Sequence, residues 1–301
     1  MKAVAITKYG TPDVMQVMEF ADPQAGPGQV RVRVKSAGVQ PVDTAVRGGW
    51  TGFPVQFPQI LGNEFAGIID QVGEGVSDFA IGNEVIGWSV LACYAEYVVV
   101  GTDQIASKPR EMPWDVAGVL SASGQTAHTA LRELGVGQGD TVLIHAAAGG
   151  VGTVAVQLAR AWGATVIGTA SERNHDYLRS LGAIPVAYGD GLVERVRDVA
   201  PGGVDAALDA IGGEALPASV ELVADRSRIG TIVGFDAAPR LGVRAIRSQR
   251  SAARLAELIE LYVQDKLQIH IWKSFPMHEA AAAHREVETG HVRGKVVLTI
   301  E

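Results

Sequence analysis

Among 301 residues there is one cysteine, Cys93. An intrachain disulfide and a CxxC metal lobe are thereby excluded, and the thiol reads as a small buried residue. Long apolar runs are missing as well. No stretch approaches the roughly 18 consecutive apolar residues of a membrane helix, and the opening MKAVAITKYG reads as a strand and a turn rather than a signal peptide. A cytoplasmic protein without a membrane partner is the expectation. Nor is there a basic stripe: acidic residues outnumber basic ones, 33 to 26, and the basic ones are scattered. The footprint for nucleic acid is absent, which leaves small neutral or anionic ligands as expected partners. The seven histidines (His128, His145, His175, His270, His278, His284, His291) form no HExxH or other close ligand pair. No Ser-His-Asp arrangement, carboxylate pair or activated cysteine points to hydrolytic or covalent chemistry.

What is present falls into two textures, in line with about two domains at roughly 100 to 200 residues each. Up to about Pro113, short β-rich runs such as VRVRV, FAGIIDQVG and YAEYVVV are closely punctuated by Gly and Pro, the pattern of a small barrel or sandwich. Beyond it, strands alternate with helices of about ten residues, from TVLIH through VGTVAVQLARAW, TVIGTA, SERNHDYLRSLG, IPVAY, GLVERVRDVA, VDAALDA and EALPASVELV to RIGTIVGF. This predicts βαβ units and a doubly wound parallel sheet. The amphipathic run Arg250 to Lys266 closes that part. A helix from about Met277 to Glu288 and the strand GKVVLTI then return the chain toward the first texture.

The stretch HAAAGGVG sits between the first strand and the first helix of the alternating part. Glycines in such a turn allow a tight bend, close approach to a pyrophosphate and close helix packing, while the helix N-terminus offers free N–H groups. The pattern is Ala147-x-Gly149-x-x-Gly152, so the first glycine of GxGxxG is replaced. Its place in the first βαβ unit argues for a dinucleotide site spanning Ala147, Ala148, Gly149, Gly150, Val151 and Gly152. The next strand ends in GTASERN, with Ser171 about 20 residues beyond the glycines and Arg173 after it. A hydroxyl and a guanidinium suit a 2′-phosphate, so NADPH is expected over NADH, although Glu172 also stands there.

The stretches GVQPVDTAVRGG, LGNEFAGIIDQVGEGV, SGQTAHTAL, HAAAGGVG, LGAIPVAY and GHVRGKVVLTI carry a further likeness. In their order and spacing the chain resembles a zinc-independent member of the medium-chain dehydrogenase/reductase superfamily, close to the zeta-crystallin-like NADPH:quinone oxidoreductases. The resemblance covers nearly the whole chain. It implies an α/β protein with a GroES-like, mostly β substrate domain at 1–113 with 270–301 and a Rossmann domain at 114–269. Zinc-dependent relatives carry a cysteine where this chain has Gln40 and a histidine where it has Asn63, so no metal is expected. Where the group has VNPVD this chain has VQPVD, which puts the longer Gln40 near the nicotinamide ribose and substrate.

By the same resemblance Thr126 lies at the nicotinamide or phosphate side of the cleft, and Ser171, Arg173 and Tyr188 match the 2′-phosphate end. Gly234 with Phe235 and Lys295 would close over the nicotinamide end and the cofactor edge. Tyr188 and Lys295 also admit plain readings, a strand end and a solvated charge, and Asp43 is either a structural acceptor or a catalytic group. Trp50, Phe53 and Trp88 fall where the family forms its substrate pocket, or they pad a domain interface. Without a metal to polarise an alcohol, hydride delivery to an electron-poor acceptor is the feasible reaction, a quinone or an α,β-unsaturated carbonyl. Gln40, Asn63 and Thr126 are the candidate catalytic donors to the developing oxyanion. An enoyl reductase acting on an alkene and a non-catalytic NADPH-binding sensor are the alternatives, and the family implies a homodimer.

Overall fold

The computed structural model describes residues 1–301. Contacts divide the chain into two compact units, one of Met1–Ala122, Arg250–Val263 and Ile269–Glu301, the other of Ser123–Gln249 and Gln264–Gln268. No helix is long and apolar enough to cross a membrane.

In chain order the strands are β1 (Lys2–Ile6), β2 (Met15–Glu19), β3 (Gln29–Val39), β4 (Gln59–Ile60), β5 (Phe65–Val72), β6 (Glu84–Gly87), β7 (Tyr97–Gly101) and β8 (Ile105–Ser107). They continue with β9 (Thr141–Ile144), β10 (Thr165–Ala170), β11 (Ile184–Ala187), β12 (Ala206–Asp209), β13 (Ile229–Thr231), β14 (Arg244–Ala245), β15 (Ile271–Pro276) and β16 (Lys295–Thr299).

The first unit holds a three-stranded sheet, β2-β1-β4, and a seven-stranded sheet, β15-β16-β3-β5-β6-β8 with β7 also on β3. β3 alternates buried Val30, Val32 and Val34 with less buried Arg31 and Arg33, which pins its register to one apolar face. Those valines join Phe65, Ile69, Tyr94, Val98 and Leu298 in a single core. A helix that the sequence pattern does not signal, Pro41–Arg47, follows β3, with Pro at its first turn and Asp43 accepting the Gln40 N–H at 2.8 Å. The helix Ala252–Val263 groups with this unit and not with the alternating part to which its position in the sequence assigned it. It packs on β8 and buries Leu255, Leu258 and Ile259.

The second unit is a parallel sheet in the order β11-β10-β9-β12-β13-β14. With β9 counted as the first strand this is the doubly wound 3-2-1-4-5-6 order, which reverses at β9 and leaves its ligand crevice beyond the carboxyl ends of the strands. Leu143, Ile167, Val186, Ala207, Leu216 and Ile229 belong to its core. β13 stops at Thr231, short of the expected RIGTIVGF strand, because the Thr231 Oγ1 accepts the N–H groups of Val233 (3.2 Å) and Gly234 (2.8 Å) and bends the chain into a turn.

Candidate functional site

In the second unit, β9 leads through His145 into the glycine turn. Ala146 is left-handed at φ +52°, and the helix Gly150–Ala161 begins after Gly149 with no side chain capping its first turn. A Cβ on Gly152 would lie 2.3 Å from the Ala146 carbonyl oxygen and 2.6 Å from the Ala147 Cα, so helix and turn touch backbone to backbone. The replacement of the first glycine has a local compensation. Ala147 is fully buried, and a Cβ on Gly168 of β10 would sit 2.8 Å from the Ala147 Cβ, so the glycine has moved to the neighbouring strand. These features fit a dinucleotide, since uncapped N–H groups and a bare backbone face are what a pyrophosphate requires.

His145 holds the turn from beneath. The Ser219 hydroxyl donates to the Ala215 carbonyl at 2.9 Å, which leaves its oxygen to accept from the His145 Nε2–H at 2.9 Å, while Nδ1 faces the Thr169 hydroxyl at 3.3 Å. Burial pushes the imidazole down to about 4, so it is neutral near pH 7. At the carboxyl ends of the other strands, Asp209 accepts from the N–H groups of Ile211 (2.9 Å) and Gly212 (2.7 Å) and from the Thr231 hydroxyl (2.7 Å). The loops after β12 and β13 are thereby tied together, with the Gly234 N–H turned to Thr231. A cleft of about 290 Å³ lined by Gly212, Gly213, Leu216 and Gly234 opens beside them.

Ser171 directly follows β10 and accepts from the Asn174 side chain at 3.3 Å; Arg173 and Glu172 are exposed one turn on. Tyr188 follows β11 and is 60% exposed. Phe235 lies beneath the Arg247 guanidinium at 4.9 Å, and Thr126 is half-buried on the helix Ser121–Glu133.

The first unit gathers Gln40, Asn63 and Lys295 around two buried carboxylates. Asp43 accepts the Gln40 N–H, the Asn63 side-chain amide and the Tyr94 hydroxyl, the last at 3.0 Å. Glu64 accepts the Gln40 side-chain amide, the Lys295 ammonium at 3.0 Å and the Ala122 N–H at 2.6 Å. Each of the two amides spends one N–H on a carboxylate and keeps its carbonyl oxygen and a second N–H. Lys295 is only 4% exposed, and its charge is turned to Glu64 rather than being solvated.

Beneath Asp43 runs a second set of polar groups. Arg47 Nε donates to His284 Nδ1 at 3.3 Å, so the imidazole proton sits on Nε2, 3.4 Å from the Tyr94 oxygen. Arg47 also pairs with Glu288 and donates to the Gly10 carbonyl. Burial pushes His284 down to about 3, helped by the Arg47 charge. Burial pushes Asp43 up to about 6, against the pull of its three donors and of Lys295. The Tyr94 phenol is held well above its ordinary value by burial and by Asp43. Asp43 is therefore the anchor of Asn63, Tyr94 is an anchor of Asp43, and His284 stands behind Tyr94.

Trp50 is 40% exposed and meets Phe53 edge-on at 5.7 Å, while Tyr9 and Phe57, both 41% exposed, meet edge-on at 5.0 Å. Trp88 is buried, its main chain bonded to Gln104 on both sides. Sequence reasoning did not find Glu64, Tyr94, Arg47 or His284. For Glu64 one signal was available, an acid set inside the apolar run LGNEFAGII.

The family descriptions "Alcohol dehydrogenase GroES-like domain" and "Zinc-binding dehydrogenase" match residues 26–110 and 181–298. The chain is 33% identical to a 2-haloacrylate reductase of Burkholderia sp., over 98% of each chain. The quinone oxidoreductase of Coxiella burnetii superposes with a TM-score of 0.89 at 34% identity, covering 100% of this chain and 99% of that one. The Escherichia coli quinone oxidoreductase, solved in complex with NADPH, superposes with a TM-score of 0.88 at 25% identity, covering 99% and 100%. The GroES-like and doubly wound units, the glycine turn and these likenesses agree, and the chain belongs to the medium-chain dehydrogenase/reductase family, in its quinone oxidoreductase group, as an oxidoreductase that uses a nicotinamide cofactor.

Proposed function

We propose that the protein delivers hydride from NADPH to a quinone or another electron-poor carbonyl acceptor without zinc. The observation that carries the reading is the donor set of the first unit. Where a metal-dependent site needs thiolate or imidazole ligands, Gln40 and Asn63 offer amides already fixed to buried carboxylates. Such groups orient an acceptor and donate hydrogen bonds to oxygen as negative charge develops there. The cofactor supplies the hydride. The chain supplies the cradle from Ala147 to Gly152, with Ser171, Arg173 and Tyr188 as receivers of a 2′-phosphate and Gly234 and Phe235 toward the nicotinamide end. Trp50 and Phe53 give flat apolar walls to the acceptor.

A second reading, reduction of an activated alkene, is favoured by the 2-haloacrylate reductase relative. NADPH and NADH consumption measured with benzoquinone and with an enone side by side separates the two. Benzoquinone turnover with preference for NADPH is expected. Turnover of the enone alone establishes the second reading, and tight NADPH binding without turnover establishes a binding protein. Metal analysis of the active protein is expected to find less than one zinc per chain.

A further inference from the structure

Arg250 is the one charged group beside the amide site that the reading above leaves without work. It opens the second segment of the first unit, and its Nη1 donates to the Asn63 carbonyl at 3.0 Å. The nearest carboxylates do not claim its remaining donors, since Asp43 and Glu64 are each filled by three other groups. A guanidinium has five N–H donors in a planar fork, and a single neutral carbonyl is a poor return for taking that charge partly out of water. Burial does lower its pKa, with Glu64 and Asp43 opposing. The planar fork of a guanidinium matches a carboxylate at two points.

We propose that Arg250 is a specificity residue for acceptors that carry a carboxylate, and that the acceptor class it selects is the α,β-unsaturated acid in its anionic form. The proposal rests on the second reading above, reduction of an activated alkene at the amide site. An unsaturated carboxylate is a worse hydride acceptor than its ester, because the negative charge feeds the double bond. A bidentate guanidinium partner withdraws that charge and restores the electron-poor character. Hydride from NADPH adds to the β-carbon, a proton from solvent adds to the α-carbon, and the carboxylate leaves unchanged. The cofactor's own phosphates are the competing anion for Arg250, and the experiment separates the two.

The test compares a 2-substituted acrylic acid with its methyl ester, with benzoquinone as a third acceptor, in the wild type, Arg250→Gln and Arg250→Lys. The acid-to-ester ratio of kcat/KM is expected to fall about 10- to 100-fold in Arg250→Gln and to recover in part in Arg250→Lys. A ratio that does not move, or a loss confined to NADPH affinity, overturns the proposal. Wild-type turnover of neither the acid nor the ester, with or without turnover of benzoquinone, overturns the reading on which it rests. If Arg250→Gln does not fold, the wild type decides. The saturated acid is expected to inhibit ester reduction competitively and its amide to inhibit far less, and equal inhibition by the two overturns the proposal.

Discussion

Replacing Asp43 with asparagine removes a buried charge and a three-way acceptor at once, and pH separates the two effects. The folded carboxyl titrates at about 6 against an ordinary 3.8. Between those values the folded chain holds a proton that the unfolded chain has released. This contribution to stability is therefore full below about pH 4, is lost as pH rises, and is flat above about pH 6. Two units correspond to about 3 kcal/mol, of which about 2 kcal/mol falls between about pH 4.5 and 7. His145 and His284 act in the opposite sense. Their folded values, about 4 and about 3, lie below the ordinary 6.5, so their contribution is present at neutral pH and is lost on acidification.

A single pH profile mixes these contributions, whereas the wild-type-minus-Asp43→Asn difference cancels the histidines. The asparagine can accept from the Gln40 N–H and Tyr94 through its oxygen, but its NH₂ then faces the Asn63 NH₂. The variant should therefore be the less stable, since hydrogen bonds to a charged acceptor are worth about 1.5–3 kcal/mol each. Urea unfolding midpoints across this pH range are expected to show the gap narrowing by about 2 kcal/mol toward neutrality. A gap that is constant or widens with pH refutes the description of Asp43 as a desolvated carboxylate.

Three other substitutions probe the site. Gly152→Ala places a Cβ 2.3 Å from the Ala146 carbonyl, where only backbone can yield; a stability loss of about 1–3 kcal/mol and an NADPH Kd raised at least about tenfold are expected, by thermal unfolding and fluorescence titration. Arg173→Ala is expected to reduce the preference for NADPH over NADH by about 10- to 100-fold in kcat/KM, and an unchanged ratio removes Arg173 from the 2′-phosphate site. Trp50→Ala is expected to lower kcat/KM for a bulky quinone more than for benzoquinone, since it deletes the exposed partner of the Phe53 ring. Equal effects on both quinones mean that Trp50 does not wall the pocket.

The doubly wound unit was legible because its signals are local: period, strand length and the glycine turn all lie within one βαβ unit of sequence. The helix Pro41–Arg47 was hidden in a β-rich texture, and Ala252–Val263 was legible as a helix but not as part of the first unit. Its partner, β8, lies some 150 residues earlier in the chain, a pairing that periodicity does not encode. The same distance hid the supports of the site. Gln40 and Asn63 stand out as departures from a metal-binding pattern. What fixes them comes from Glu64, Tyr94, His284 and Lys295, which meet only once the sheet forms. Lys295, expected at the edge of the cofactor, pairs with Glu64, since both are buried and either charge left unpaired there would be strongly destabilising.

The most direct test of the account is a single turnover. The protein is dialysed against a chelator, loaded with NADPH and mixed with benzoquinone. Loss of nicotinamide absorbance matched by hydroquinone formation, at a rate that added zinc does not change, is the predicted result. Oxidation that appears only after zinc is restored would contradict the claim that amides and buried carboxylates suffice.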